Sequence, residues 1–268
     1  MMQINPEFTA YFADQTALFD QVMALRGKVY RELENRRTQR IILGNNAYFI
    51  KQHFGVGWKE IVKNLLQLRL PVLSAKNEWQ AIQKLKLLNI PTQTIVGYGC
   101  RGLNPASRQS FLITQELPKH ISLEDFCVSW RSQPPSFRLK QRLIREVARI
   151  ARLLHEHGVN HRDFYICHFL LDLNDYSHDN ITIYLIDLHR AQLRQQTPAR
   201  WIIKDLAGLY FSSKDIGLTR RDVLRFMKEY RNTSLSSILN KETYFLAEGE
   251  RTWRSVISKT CKIILREK

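Results

Sequence analysis

Residues 157–187 read HGVNHRDFYICHFLLDLNDYSHDNITIYLID. The stretch contains His161-Arg162-Asp163, then His168 five residues on, then two apolar runs, Phe169 to Leu171 and Ile181 to Ile186, and ends on Asp187. Short runs of branched and aromatic residues separated by a polar, turn-rich segment read as two strands. If residues 169–173 and 181–187 pair as a hairpin, the two ends of the hairpin lie together. Asp187 is then returned to the neighbourhood of Asp163, so that one stretch supplies two carboxylates to one place.

That order resembles the catalytic loop of a protein kinase running into its metal-binding aspartate. Phosphoryl transfer needs little covalent help and a great deal of positioning. One carboxylate must meet the acceptor hydroxyl, and another must hold the divalent cations that neutralise the polyphosphate. Asp163 is expected in the first role and Asp187 in the second, with ATP and Mg²⁺ as the cofactors. His168 stands where a metal-binding Asn usually sits. A neutral imidazole is a poor ligand for a hard cation, so contact with phosphate and bracing of Asp163 stand beside metal binding as its possible roles.

Working towards the N-terminus, the constellation gains a lysine and a glutamate. Residues 16–26 carry Leu18, Phe19, Val22, Met23 and Leu25 at helical spacing. Strands are expected over 28–33, 38–43 and 47–53, with Gly44-Asn45-Asn46 as the turn between the last two. Alternation in the third puts Lys51 on the face of Phe49, opposite Tyr48 and Ile50. An ammonium inside an apolar strand is costly unless it meets anions. Lys51 is therefore a candidate for holding the α and β phosphates of ATP, against the alternative of an edge lysine that snorkels. Its expected partner is Glu78, on a helix from Asn77 that places Glu78, Ile82 and Leu85 on one face; an acid in a first turn also simply suits the helix dipole. Residues 55–75 form an insertion whose basic amphipathic helix sets Ile61, Leu65 and Leu68 in one stripe beside Lys59, Lys63 and Arg69. It suits a membrane surface or a partner, or packing on its own domain.

Two more strands, 94–99 and 110–116, lead to Gln115-Glu116-Leu117, where the backbone of Glu116 and Leu117 is expected to meet an adenine edge. Ser122 to Asp125 reads as a helix start, and Pro134-Pro135 precede a long helix closed by Gly158. Beyond Asp187, Asp205 precedes an apolar run and either caps that helix or reaches back to brace the catalytic loop. Thr219-x-x-Asp222 starts another helix with Val223, Phe226, Met227 and Tyr230 facing inward. A basic amphipathic tail follows from Arg251.

Composition agrees with one domain. The 268 residues suit an α+β bilobal fold, with 1–116 a small lobe of antiparallel sheet plus one helix and 117–268 a mainly helical large lobe. Forty-one basic residues against 25 acidic give a net charge of +16, which favours anionic partners. The basic residues are scattered and no nucleic-acid recognition module is readable, so nucleic acid is not an expected partner. Four widely spaced cysteines form no C-x-x-C pair, which suits reduced thiols. Neither a secretory signal nor an apolar run of the roughly 18 to 20 residues needed to span a bilayer is present, so a soluble or peripheral protein is expected.

The segments Asn160 to Leu171 and Ile186 to Leu193, with Arg31 to Glu34, Arg36 to Thr38, Ile121 to Asp125 and Gly208 to Ser213, resemble the WaaP family of lipopolysaccharide core heptose(I) kinases of Gram-negative bacteria. The resemblance runs along nearly the whole chain. It implies ATP-dependent phosphorylation of the first inner-core heptose at its 4-hydroxyl, at the cytoplasmic face of the inner membrane, with the catalytic aspartate at Asp163. It also implies association with acyl carrier protein. The chain departs from general kinases in lacking a Gly-rich loop, where Glu34 to Arg37 stand instead, and in lacking D-F-G and A-P-E motifs. These departures favour a glycolipid or small-molecule acceptor over a protein. A kinase for another sugar or an antibiotic, and a silent scaffold binding acyl carrier protein or lipid, are the competing readings.

Overall fold

The computed structural model describes residues 1–66, 74–174, 181–232 and 254–260, and divides the chain into two compact units. One comprises Met1–Lys84 and Gln93–Leu117, the other Leu85–Thr92 and Pro118–Lys268.

The first unit is built on a six-stranded antiparallel sheet. Its strands are β1 (Met2–Ile4), β2 (Lys28–Leu33), β3 (Arg36–Leu43), β4 (Asn46–His53), β5 (Ile95–Arg101) and β6 (Gln109–Gln115), in the order β1-β5-β6-β4-β3-β2. The helices α1 (Pro6–Thr9), α2 (Leu18–Ala24), α3 (Gly57–Leu66) and α4 (Lys76–Leu87) accompany it; the last three fall where helices were expected, and α1 is an addition. The alternation in β4 is the expected one: Tyr48 and Ile50 are buried while Phe49 and Lys51 are half-buried. One face of the sheet packs Tyr48, Ile50, Phe111 and Ile113 against Phe8 of α1 and Leu18, Val22 and Met23 of α2. Two fully buried glutamines satisfy the C-terminal carbonyls of α2. Gln52 Nε2 donates to the carbonyls of Val22 and Met23 at 3.0 Å each, and Gln39 Nε2 donates to Leu25 O and to Gln52 Oε1.

The second unit contains β7 (His120–Ser122), α5 (Leu123–Phe126), the long α6 (Phe137–Glu156), β8 (Val159–Asn160), β9 (Phe169–Asp172), β10 (Ile183–Leu185), β11 (Gln192–Leu193), α7 (Ala199–Ser213) and α8 (Arg220–Arg231). Ser136 caps α6, whose residues Leu143, Val147, Ile150, Ala151 and Leu154 form one buried stripe. Gly158 ends it at φ +77°, where a Cβ would collide with the Arg194 carbonyl; that close approach lets Arg194 N donate to Gly158 O at 2.8 Å and seats β8 against β11. Thr219 and Asp222 close the capping box of α8, though Val223, Phe226, Met227 and Tyr230 are half-buried rather than fully inward. The hairpin forms as expected, with Phe169 opposite Leu185 and Leu171 opposite Ile183. The tail is helical over 254–260, with Val256 and Thr260 buried; the rest of the expected tail helix lies outside the described residues.

Asp205 departs from one of its two expected roles. It lies in the middle of α7, which starts six residues earlier at Ala199, so it does not cap that helix.

Candidate active site

Four elements of the second unit fix Asp163. The loop leaves β8, passes through His161 and Arg162, and enters a short 3-10 turn at Ile166–His168. Arg162 adopts the left-handed region at φ +75°, a conformation that a non-glycine residue keeps only where its surroundings hold it. Asp205 does the holding: its Oδ2 accepts the His161 N–H at 2.7 Å and its Oδ1 accepts the Arg162 N–H at 2.9 Å. The carboxylate is 1 % exposed, so these are charge-assisted bonds in a dry setting. His155, whose Nε2 lies 3.5 Å from Asp205 Oδ2, is tied in turn to the hydroxyl of Tyr230 at 2.8 Å.

Removing Asp205 strands two buried N–H groups at about 1–3 kcal/mol each, so Asp205→Ala is expected to lower unfolding stability by about 2–6 kcal/mol and to cut kcat. Denaturant melts alongside turnover check this. A variant with wild-type stability and rate would show that the loop holds itself.

His161 is the second support. Its fully buried ring is held neutral, burial pushing its pKa below the usual value, and Nε2 meets the Ile186 carbonyl at 2.9 Å. That bond ties the start of the loop to the residue before Asp187. Asp187 itself takes the left-handed conformation, φ 62° and ψ 48°, as the N-cap of the 3-10 turn Leu188–Arg190. Its Oδ1 lies 2.6 Å from His189 Nδ1 and its Oδ2 lies 3.5 Å from His168 Nε2. The other ring nitrogen of His168 contacts the Asp163 carbonyl at 2.7 Å. His168 thus bridges the two carboxylate residues through one ring. Burial opposes its charge, but hydrogen bonds that the ring donates to Cys167 and to the Asp163 carbonyl, with the charge on Asp187, push its pKa up to about 9. Both ring nitrogens are thus engaged with Asp163 and Asp187, which is the geometry of the bracing role.

Among the described residues, no three His, Cys, Asp or Glu side chains are grouped to cage a metal. Mg²⁺ is held through one or two carboxylates with water and phosphate oxygens completing its shell, and the partly exposed carboxylate of Asp187 is of a kind that fits this mode.

One neighbour of Asp163 went unread in the sequence. Arg190 Nη1 contacts Asp163 Oδ1 at 2.8 Å, and both side chains are only partly exposed. The Leu188-His189-Arg190 run following Asp187 was visible, but nothing in its spacing announced a partner 27 positions earlier.

In the first unit, Lys51 Nζ lies 2.5 Å from Glu78 Oε1, with Glu78 2 % exposed. The lysine is therefore pinned in one place rather than snorkelling, and the paired glutamate comes from α4. Glu116, whose backbone is expected to meet an adenine edge, is held by two sets of bonds. Its backbone N–H donates to Ala47 O at 2.9 Å, and its carboxylate receives a two-pronged bond from Arg40 at 2.6 and 2.7 Å. Any adenine contact must use other backbone atoms of the Glu116-Leu117 segment.

Lys51→Met is expected to lower kcat/KM for ATP by about 10²- to 10³-fold, the usual cost of losing one donor aimed at developing phosphate charge. Thermal melts report separately on the stranded Glu78 carboxylate. A kcat/KM within a factor of about three of wild type would leave Lys51 a structural residue only.

An apolar cavity of about 90 Å³ lies elsewhere in the second unit, lined by Leu123 of α5, Val147 of α6, Leu209 of α7 and Phe226 of α8, with Trp130 from the segment after α5. Cys100, Cys127 and Cys167 are free thiols, and Cys261 lies outside the described residues. No helix among the described residues is long and apolar enough to cross a membrane.

Residues 20–230 match the lipopolysaccharide kinase (Kdo/WaaP) family. The chain is 53% identical over 234 residues to the lipopolysaccharide core heptose(I) kinase WaaP of Pseudomonas aeruginosa, covering 87% of each chain. It is 52% identical over 229 residues to the protein of that name from Escherichia coli K12, covering 85% of this chain and 86% of that one. A solved structure described as WaaP in complex with acyl carrier protein superposes with a TM-score of 0.77 at 44% identity, over 96% of this chain and 99% of the other.

Proposed function

Because the chain belongs to the lipopolysaccharide kinase (Kdo/WaaP) family, we propose that it transfers the γ-phosphate of ATP to the 4-hydroxyl of the first inner-core heptose of lipopolysaccharide. The observation that carries this reading is identity of about half, over most of both chains, to heptose(I) kinases. The Asp163 loop supplies the chemistry the reading needs.

Asp163 is the acceptor-facing carboxylate. It aligns the heptose hydroxyl and takes up its proton as the new O–P bond forms and the bond from the γ-phosphorus to the departing ADP oxygen breaks, and Asp205 and His168 keep its backbone in place for that step. Arg190, already on Asp163, adds positive charge where the transferred phosphoryl group carries negative charge. Asp187 would hold Mg²⁺, which when bound would supply charge neutralisation to the polyphosphate. In the other unit, Lys51 serves the α and β phosphates, and Glu78 keeps its ammonium oriented. Leu117 and the remaining atoms of Glu116 are the backbone candidates for the adenine edge.

Acyl carrier protein is proposed as a partner, by analogy with the relative solved in complex with it; an acidic protein suits a net charge of +16. Peripheral contact with the cytoplasmic face of the inner membrane is proposed as well. Ile61 of α3 is buried, and Trp58, Val62 and Leu66, four residues apart on that helix, are exposed beside Lys59 and Lys63. An exposed apolar row flanked by lysines suits an anionic leaflet. Of the other basic residues of the insertion and the tail, Arg254 and Lys259 lie on helix 254–260, while Arg69 and Lys262 lie outside the described residues.

Complementation tests the activity. In a strain lacking its heptose(I) kinase, this chain is expected to restore phosphate to the first heptose, read by mass spectrometry of the isolated core. A core that stays unphosphorylated despite soluble expression would contradict the proposal.

A further inference from the structure

Trp201, in the first turn of α7, is ringed by cations. The guanidinium carbons of Arg162, Arg194 and Arg200 lie 5.4, 5.8 and 5.4 Å from its ring centre, and Lys204 Nζ lies 5.4 Å from it. Arg190 stands beside the same loop through its ion pair with Asp163. Two carboxylates face these five cations, and one of them, Asp205, is already committed to the His161 and Arg162 N–H groups. Arg194 is bound by neutral groups, the side-chain carbonyls of Asn160 and Gln192. Among the described residues, Arg162, Arg200 and Lys204 have no carboxylate within ion-pair distance.

Such a cluster is costly by itself. Burial, then repulsion from Arg162 and Arg190, holds the Lys204 pKa below its usual value, and burial with Arg190 does the same to Arg162. Two donors at its centre, Arg162 Nε and Trp201 Nε1, are buried with no hydrogen-bond partner in the protein. Arg200 is exposed and the other four cations are half-buried; excess charge at such a surface together with unsatisfied buried donors is the signature of a surface completed by an anionic ligand. Its side of the site is set by the carboxylates. Arg190 pairs with Asp163, whereas Asp187 is held by His168 and His189. The cluster therefore belongs with the acceptor hydroxyl rather than with the metal-binding aspartate.

We infer that Arg162, Arg200 and Lys204, arrayed around Trp201, form a subsite for an oxyanion carried by a sugar adjoining the hydroxyl that Asp163 orients. The inference rests on the acceptor being a glycolipid, as proposed above. Guanidinium forks match carboxylate and phosphate alike, and an amphipathic indole offers both an N–H and an apolar ring to a sugar. By reading position as well as charge, this subsite would select acceptors by their acidic neighbour.

The test is a cycle between protein and acceptor. The double variant Arg200→Gln with Lys204→Gln, which leaves Asp163 and its ion pair untouched, is assayed on the native inner-core acceptor, on one whose carboxylates are reduced to alcohols, and on one stripped of phosphate. With the native acceptor, its KM is expected to rise by about tenfold or more, while the KM for ATP stays within about twofold of wild type. The reverse-charge-preserving variant, Arg200→Lys with Lys204→Arg, is expected to recover most of the loss. One of the two altered acceptors is expected to weaken the wild type by a similar factor and the double variant hardly at all, and which one does so identifies the oxyanion as carboxylate or phosphate. Losses that add fully for both altered acceptors, or a rise in the KM for ATP in place of that for acceptor, would overturn the inference. A wild-type protein active on no heptose acceptor would overturn the functional reading first, and this inference with it.

Discussion

Asp163→Asn is expected to lower kcat by about 10²- to 10⁴-fold, the usual worth of a positioned general base, while ATP binding stays within about twofold of wild type. The amide keeps the size of the carboxylate, and its oxygen still accepts from Arg190 Nη1, which contacts Asp163 at 2.8 Å. The loop should keep its shape too, because its anchors are Asp205 and His161 rather than the Asp163 side chain. What is lost is the ability to take the acceptor's proton. Steady-state kinetics with calorimetric titration of ATP separates the two quantities. A rate above about a tenth of wild type would mean a loss below about 1.4 kcal/mol, too small for the residue that meets the hydroxyl.

The second large effect has the opposite pattern. Asp187→Asn is expected to weaken Mg²⁺-dependent ATP binding by about tenfold or more, to the level that the wild type shows in a chelator. Asn is the informative replacement here. Asp187 sits at φ 62°, a conformation that Asn tolerates and Ala does not, so the backbone survives while the charge is removed. His189 and His168, which face the carboxylate at 2.6 and 3.5 Å, lose an anionic partner in the same variant. If ATP binding by the variant still responds fully to Mg²⁺, the metal-binding assignment fails.

The contrast between these variants depends on how the chain builds its second unit. A hairpin of two apolar strands brings Asp187 beside the catalytic loop, and that hairpin was legible because branched and aromatic residues alternate with a turn-rich segment. The alternation around Lys51 was legible because a half-buried strand writes a period of two into its sequence, whereas the strand at 28–33, exposed throughout, was legible only from its residue types and the turns that bound it. The strand β1 was not, since three residues at a sheet edge carry no period. The Lys51 and Glu78 pairing was readable as a strand lysine followed by a helix glutamate. Arg40 with Glu116 and Arg190 with Asp163 were not, because ion pairs between residues 76 and 27 positions apart leave no pattern in either segment.

Asp205 shows the limit most clearly. The acid was visible, but whether it capped a helix or braced a loop depended on where α7 began, and the weak start at Pro198 gave no cap residue to mark it. Only the fold places its two oxygens on the His161 and Arg162 N–H groups. The basic ring around Trp201 is hidden for a related reason. Arg194, Arg200 and Lys204 look like ordinary scattered surface charge until the loop bearing Arg162 is brought against them.

The account's central claim is that this chain moves phosphate from ATP to heptose through Asp163. The direct measurement uses purified protein, Mg²⁺, γ-labelled ATP and an inner-core acceptor whose heptoses carry no phosphate, with the product located by phosphorus NMR. The expected result is a single phosphate on the first heptose, at its 4-position, formed by the wild type and absent with Asp163→Asn. Transfer that persists in that variant, or label that reaches a sugar other than the first heptose, would contradict it.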